Sequence, residues 1–342
     1  MVCLNSDVLF DIGKKLIEDG DSDAVIKFFL CGKQQFQAMK NVFSSVSTLK
    51  LYRKYYEIGW DKNCTKFDVG SSQSHLPFLM LLIGNCVKNL HLDDHFLLQW
   101  SPYLTVAEKI SKTKQLISFS AGEYCTRTFL DEFFPQFAST LKNVMIPSTS
   151  MTATFRDTLK LDSLTIFEPM GYNFTSFCCK TVSLNIHSAA SFLLKLFLRI
   201  PDTVQISPHL SIIKNLTFND KHFYFPRQAV NELMRCFPAL ECLKFDVLME
   251  LRKNDTLGPK YRIFNNMGYF KETLKLAKKL PSKTTIIFHK CHEDLQFPTL
   301  NECVANFDGY YGTLSNLYCF RQIISSTVDG SQSTTLEIHI SQ

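Results

Sequence analysis

The stretch Phe237-Pro-Ala-Leu240-Glu-Cys-Leu243-Lys-Phe245 decides the reading of the fold. A helical pattern, Arg227–Cys236, runs up to Pro238. The residues after it then alternate, with Leu243 and Phe245 apolar and Cys242 and Lys244 between them. Period-two alternation marks a strand with one buried face, and the proline stops the helix before it. The local signature is apolar-x-x-apolar-x-apolar.

The same signature recurs along the chain. It appears as Val46-Ser-Thr-Leu49-Lys-Leu51, Val87-Lys-Asn-Leu90-His-Leu92 and Leu141-Lys-Asn-Val144-Met-Ile146. Further copies are Leu161-Asp-Ser-Leu164-Thr-Ile166 and Ile213-Lys-Asn-Leu216-Thr-Phe218. Thr181-Val-Ser-Leu184-Asn-Ile186 and Lys114 to Phe119 are weaker copies. Helical patterns lie between them at Leu76–Asn85, Phe129–Ser139 and Phe192–Arg199. Strands alternating with helices at a near-regular interval predict an α/β fold with a parallel sheet lined by outer helices. A single α/β domain whose strands share the pattern is the alternative.

The last ninety residues fit this scheme least well. Arg252–Pro259 reads as a polar loop, Phe270–Leu280 as a basic amphipathic helix stopped by Pro281, and Thr284–Phe288 as a strand. The stretch from Ser325 is polar until a final strand, Leu336–Ile340, expected to close the sheet edge.

Ahead of the repeats stand three short helical patterns. Ser6 or Asp7 can cap the first, in which Val8, Leu9, Ile12 and Leu16 form an apolar stripe. Gly20 ends it, Asp21-Ser22-Asp23 starts a second helix through Leu30, and Gly32 separates a third over Lys33–Phe43. So short a bundle is marginal alone. One reading is a cap that covers the first repeat.

The opening Leu4-Asn5-Ser6-Asp7-Val8-Leu9-x-x-Ile12-x-x-x-Leu16 resembles the start of an F-box. The run from Asp23 through Leu30-Cys31-Gly32-Lys33 to Phe36 resembles its middle and end. Asn5 stands where that family has proline, and no tryptophan lies near Phe36. The repeats behind it resemble the irregular leucine-rich repeats of divergent F-box proteins of the kind expanded in nematodes. The resemblance implies a three-helix F-box over residues 1–48. Behind it, over 49–342, comes a curved leucine-rich-repeat-like solenoid that recognises substrate. It further implies that Leu4, Val8, Leu9, Ile12, Leu16, Phe28, Leu30 and Phe36 are shared between the module's own core and a Skp-type adaptor. That adaptor leads to a cullin–RING ubiquitin ligase, and the chain itself is then not an enzyme.

On the strands, the residues flanking each apolar position point to the opposite face. Asn89, His91, Asn143, Thr165, Asn185, His187, Thr217 and Lys244 make a polar, nearly neutral row. Such a row suits hydrogen-bonded recognition of a protein substrate.

Bulk composition narrows the function classes. The 342 residues are 45% hydrophobic and 20% charged, with a net charge of +5. The basic residues are dispersed, which argues against nucleic acid. Leu76–Ile83, the richest apolar run, is too short to span a bilayer, so no membrane role is expected. Asp7 and Asp11 interrupt the first apolar stretch, so no signal peptide is read there and an intracellular chain is expected. The 12 cysteines are then reduced thiols.

Candidate chemistry is sparse. His289, Cys291, His292 and Cys303 lack the second paired spacing of a zinc site. Cys178-Cys179 with His187 lacks an orienting group. Glycine-rich phosphate loops are absent, so no cofactor is expected. A plain repeat scaffold and, more remotely, a small α/β hydrolase remain as alternative functions.

Overall fold

The computed structural model describes residues 5–60, 63–69, 76–99, 101–122, 124–151, 159–167, 177, 179–187, 205–220, 229–250, 258–293, 295–328 and 330–341. The chain divides into two compact units, 1–161 and 162–342. Each is a mixed α/β unit whose sheet is mostly parallel.

The first unit opens with α1 (Ser6–Glu18), α2 (Ser22–Leu30) and α3 (Lys33–Ser45). Asn5, not Ser6 or Asp7, caps α1, its side chain accepting from the Asp7 N–H at 3.1 Å. Asn is a strong cap residue, and here it does what proline at this place cannot. Asp21 caps α2 through the Ala24 N–H at 3.0 Å. The core of the bundle is Leu9, Ile17, Val25, Phe29, Met39, Val42 and Phe43, all buried.

Strand β1 (Thr48–Leu51) follows, then an antiparallel hairpin of β2 (Tyr55–Trp60) and β3 (Asn63–Asp68). The hairpin is an addition to the sequence reading. It holds the helices in place. The Thr65 hydroxyl donates to the Ile17 carbonyl at the end of α1, the Trp60 indole N–H donates to the Ser45 carbonyl at 3.0 Å, and Lys14 Nζ sits 5.1 Å from the Trp60 ring centre.

Helices α4 (Leu76–Ile83) and α5 (Ser101–Thr113) alternate with β4 (Asn89–Leu92) and β5 (Ser118–Ala121). Helix α6 (Arg127–Phe133) continues as a 3-10 turn through Phe137 and leads to β6 (Asn143–Pro147). The spatial order is β6-β5-β4-β1-β2-β3. Strands β1, β4, β5 and β6 are parallel, and Leu49, Leu90, Phe119 and Val144 lie in register across them. These are the middle apolar residues of the recurring signature; in the weaker copy Lys114 to Phe119, where the sequence reading puts Leu116 or Ile117 in that place, it is Phe119 that takes it in β5. All four are buried. The helices cover that apolar face, as Phe119 shows against Phe133 and Phe134 of α6 and its 3-10 turn, at 5.2 and 5.3 Å between ring centres.

The second unit holds β7 (Lys160–Phe167, starting at the boundary), β8 (Lys180–His187), β9 (Asn215–Asp220) and β10 (Cys242–Met249). Helix α7 (Ala229–Cys236) precedes β10, as the sequence predicts. Leu184, Leu216 and Leu243 are again in register, and the ladder continues through Thr284 of β11 (Lys283–Lys290) to Leu336 of β14 (Ser333–Ser341). Thr284 stands where a leucine is usual, and its hydroxyl lies 3.4 Å from that of Thr334. The expected helix Phe192–Arg199 lies outside the described residues.

Two expectations for the last ninety residues are corrected. Helix α8 runs over Pro259–Lys275, not 270–280. Pro259 sits in its first turn, where a missing N–H costs nothing, and Phe270 meets Phe245 edge-on at 5.8 Å. The final strand does not close the sheet edge. β14 lies between β11 and β13 (Leu317–Ser325), and β12 (Tyr310–Leu314) is outermost. Helix α9 (Leu300–Asn306), closed by a Thr299–Glu302 capping box, precedes this antiparallel hairpin.

Candidate functional site

Helix α1 carries two adjacent apolar rows. Leu9, Gly13 and Ile17 face α3 and are buried. Val8 and Ile12 lie one position back and remain 44% and 37% exposed, and Leu16 is half-buried. The structure therefore divides the sequence-predicted stripe between the module's own core and its surface. Gly13 makes the division possible, because without a side chain α1 lies close against Met39 and Val42. Leu4 lies outside the described residues.

The other members of the predicted set fall on α2 and α3. Phe28 is half-buried, while Leu30 and Phe36 are exposed, Leu30 to 56%. Phe36 rests on buried Phe29, with ring centres 4.7 Å apart, and Lys40 Nζ lies 5.9 Å from its ring. Phe78 of α4 extends the exposed aromatic surface by stacking on Phe36 at 6.1 Å and 14° between planes. Sequence reasoning missed Phe78. The run Leu76–Ile83 is apolar on every side, so no periodicity marks its outward face.

The polar row is also in place, each part within its own unit. In the first, Asn89 donates to Thr48 at 3.1 Å, His91 Nδ1 pairs with the Ser120 hydroxyl at 3.0 Å, and exposed Asn143 donates to Ser118 at 3.3 Å. In the second, the Asn185 amide spans Ser163 at 2.9 Å and Thr165 at 3.2 Å. Thr217 stands in register with both Asn185 and Lys244. His187 is exposed beside these residues.

Charge concentrates around two carboxylates of this face. Asp246 accepts from Lys244 Nζ at 2.9 Å and from His289 Nε2 at 3.0 Å. The His289 hydrogen bond, opposed by burial and aided by Lys244, brings its pKa down to about 2. Glu337 lies between Lys283 at 2.8 Å and Arg321 at 2.9 Å. Burial alone would raise the Glu337 pKa, but these two cations hold it low. Glu337 and Arg321 were not read from the sequence, since their strands lack the recurring signature. Burial lowers the His91 and His187 pKa values, and nearby carboxylates partly offset it.

The other candidates for chemistry fall apart spatially. Among the described residues no three His, Cys, Asp or Glu side chains come together as a metal site. His289 is instead the partner of Asp246. Cys178 lies outside the described residues, and Cys179 is buried. Burial pushes the thiols of Cys125 and Cys303 up to about 12 and that of Cys236 to about 11, the opposite of what a nucleophile needs. Among the described residues no helix is long and apolar enough to cross a membrane.

The described residues thus offer an exposed apolar surface on α1–α4 and, within each unit, a polar, hydrogen-bonded sheet face. No protein-family model, curated protein or solved structure matches the chain.

Proposed function

We propose that the chain is the substrate-recognition subunit of a Skp–cullin–F-box type ubiquitin ligase. Residues 3–48 act as a divergent F-box that docks a Skp-type adaptor, and the leucine-rich-repeat-like body recruits a protein substrate. Catalysis resides in the partner ligase. One observation carries this reading. Leu9, Val25, Phe29 and Met39 already close the module's core, yet Val8, Ile12, Leu30 and Phe36 stay on its surface. Apolar anchors on a helix face are the usual means of helix-mediated docking.

The ties from Trp60 and Thr65 to the helices favour a second reading, in which α1–α3 only cap the sheet. Co-purification with a Skp-type adaptor separates the two. The parent chain is expected to bind, and the Ile12→Asp, Leu30→Asp double variant to lose binding at least tenfold with its thermal melt unchanged. Failure of the folded parent to bind overturns the ligase reading in favour of the cap.

A further inference from the structure

The loops that follow β1, β4, β5 and β6 meet at one end of the first unit's sheet and line an open cleft of about 510 Å3. Each loop leaves the C-terminal end of a parallel strand, the edge at which α/β sheets bring side chains from successive loops together around a ligand. Arg53 comes from the first loop, Asp94 and Phe96 from the second, Tyr124 from the third, and Arg127 from the first turn of α6 that follows it.

Among the described residues several acceptors of the cleft are already used, and the Asp93 carboxylate also lies within electrostatic range of Arg53. Asp94, 4% exposed, takes Arg53 Nη2 at 2.8 Å on one oxygen and the Phe96 N–H at 3.0 Å on the other. The Tyr124 carbonyl lies 2.8 Å from His95 Nδ1, and the Cys125 carbonyl accepts from the Ser150 hydroxyl at 2.9 Å. Among the described residues the guanidinium donors are not used up. Asp94 and the Tyr124 ring, 5.7 Å from Cζ, fix the Arg53 guanidinium in place while its side chain stays 68% exposed. Arg127 is 59% exposed, and the Asp131 carboxylate is 3.9 Å from it, where an exposed pair contributes little. A guanidinium held in advance with free N–H groups is suited to a carboxylate. Beside it, Phe96 and Tyr124 each leave 60% of their surface uncovered.

We propose that this cleft binds an acidic peptide segment, an Asp or Glu carboxylate on Arg53 with Arg127 alongside, and a neighbouring apolar side chain against Phe96 and Tyr124. The site is separate from the α1–α4 surface and stands whether or not that surface docks an adaptor.

The test is fluorescence anisotropy of the full chain with labelled acetyl-X-Glu-X-amide peptides, X being Phe or Leu, against the Gln counterparts. The Glu peptides are expected to bind at least tenfold tighter than the Gln peptides at low salt, and the gap to shrink as salt rises. Arg127→Gln narrows the gap, and Phe96→Ala weakens both sets alike, each with an unchanged melt. Arg53→Gln abolishes the preference, but it also strips Asp94 of its partner, so the first two variants carry the test. Equal binding of Glu and Gln peptides, or no binding of any peptide at millimolar concentration, overturns the proposal. So does inorganic phosphate that displaces the peptide at a lower concentration than acetate, because the site then belongs to phosphate.

Discussion

A Cβ placed on Gly13 would come within 2.5 Å of the Met39 Sδ and 3.1 Å of the Val42 Cγ2. Helices α1 and α3 are therefore in close contact at this glycine. Gly13→Ala gains helix propensity of up to about 1 kcal/mol, but the overpacking costs about 1–3 kcal/mol. A net loss near 1 kcal/mol is expected. Gly268, in the exposed interior of α8, meets nothing within 4 Å, so Gly268→Ala should stabilise by about 0.5–1 kcal/mol. Urea unfolding of the two variants gives opposite signs, and equal signs would contradict this packing.

Leu9 and Ile12 lie three positions apart on α1 yet differ in kind. Leu9 is 2% exposed and Ile12 37%. Leu9→Ala should cost about 2–5 kcal/mol, whereas Ile12→Ala should fall below about 1 kcal/mol. Thermal melts decide it, and an equal loss in both would place Ile12 in the core.

Asp246 makes stability depend on acid. Its folded pKa, about 2, lies below the unfolded value of about 3.9. The stabilisation it brings is therefore present above pH ~4 and lost as pH falls from there towards 2. Asp246→Asn should flatten that part of the stability curve. It should also move His187 to a still lower pKa, because the Asp246 charge now opposes the burial that lowers it. Histidine proton NMR follows the second effect, and a His187 titration that rises or stays fixed would contradict the arrangement.

Helix α9 rests on its first turn. The Thr299 hydroxyl accepts from the Glu302 N–H at 3.4 Å, and Glu302 accepts from the Thr299 N–H at 2.7 Å. Thr299→Ala should cost about 1 kcal/mol, and Thr299→Asn much less. Denaturant midpoints of the two variants measure this directly.

The parallel strands were legible because each carries its own signature. Leu90, Leu216 and Leu243 alternate with polar residues, and their buried side is evident before any partner strand is known. The hairpin Tyr55–Asp68 was not legible. Its strands lack the apolar triad, and Asp61-Lys62 between them bears no Asn-Gly signal. α8 was placed too late because aromatic residues also stand on its exposed side, at Tyr261 and Tyr269, and blur the buried row Ile263, Met267 and Phe270, while the lysines from Lys271 to Lys279 give the far end the clearer amphipathic pattern. On α1 the apolar positions were legible but not their division. Which of Val8 and Leu9 turns inward depends on where α3 lies, and Met39 supplies that through tertiary packing alone. The cleft was missed for a related reason. The strand pattern directs attention to the faces of the sheet, whereas Arg53, Phe96 and Tyr124 sit just past the strand ends, where no periodicity operates.

The outermost strand has a consequence for the chain among its own copies. β12 exposes Tyr310, Tyr311 and Leu314, and Ile323, on the part of β13 that runs past β12, is 75% exposed. A regular apolar edge strand is a template for further strands from other molecules. Here the pairing of β12 with β13 slips between Tyr310 and Gly312, and Gly309 and Gly312 take positive φ values of 75° and 144°. The slip twists the edge and breaks its row of hydrogen-bonding groups. A short irregular rim is thus a poor template for fibre-like growth, and a β-branched residue in place of Gly312, whose φ of 144° disfavours an L side chain, is expected to disturb it.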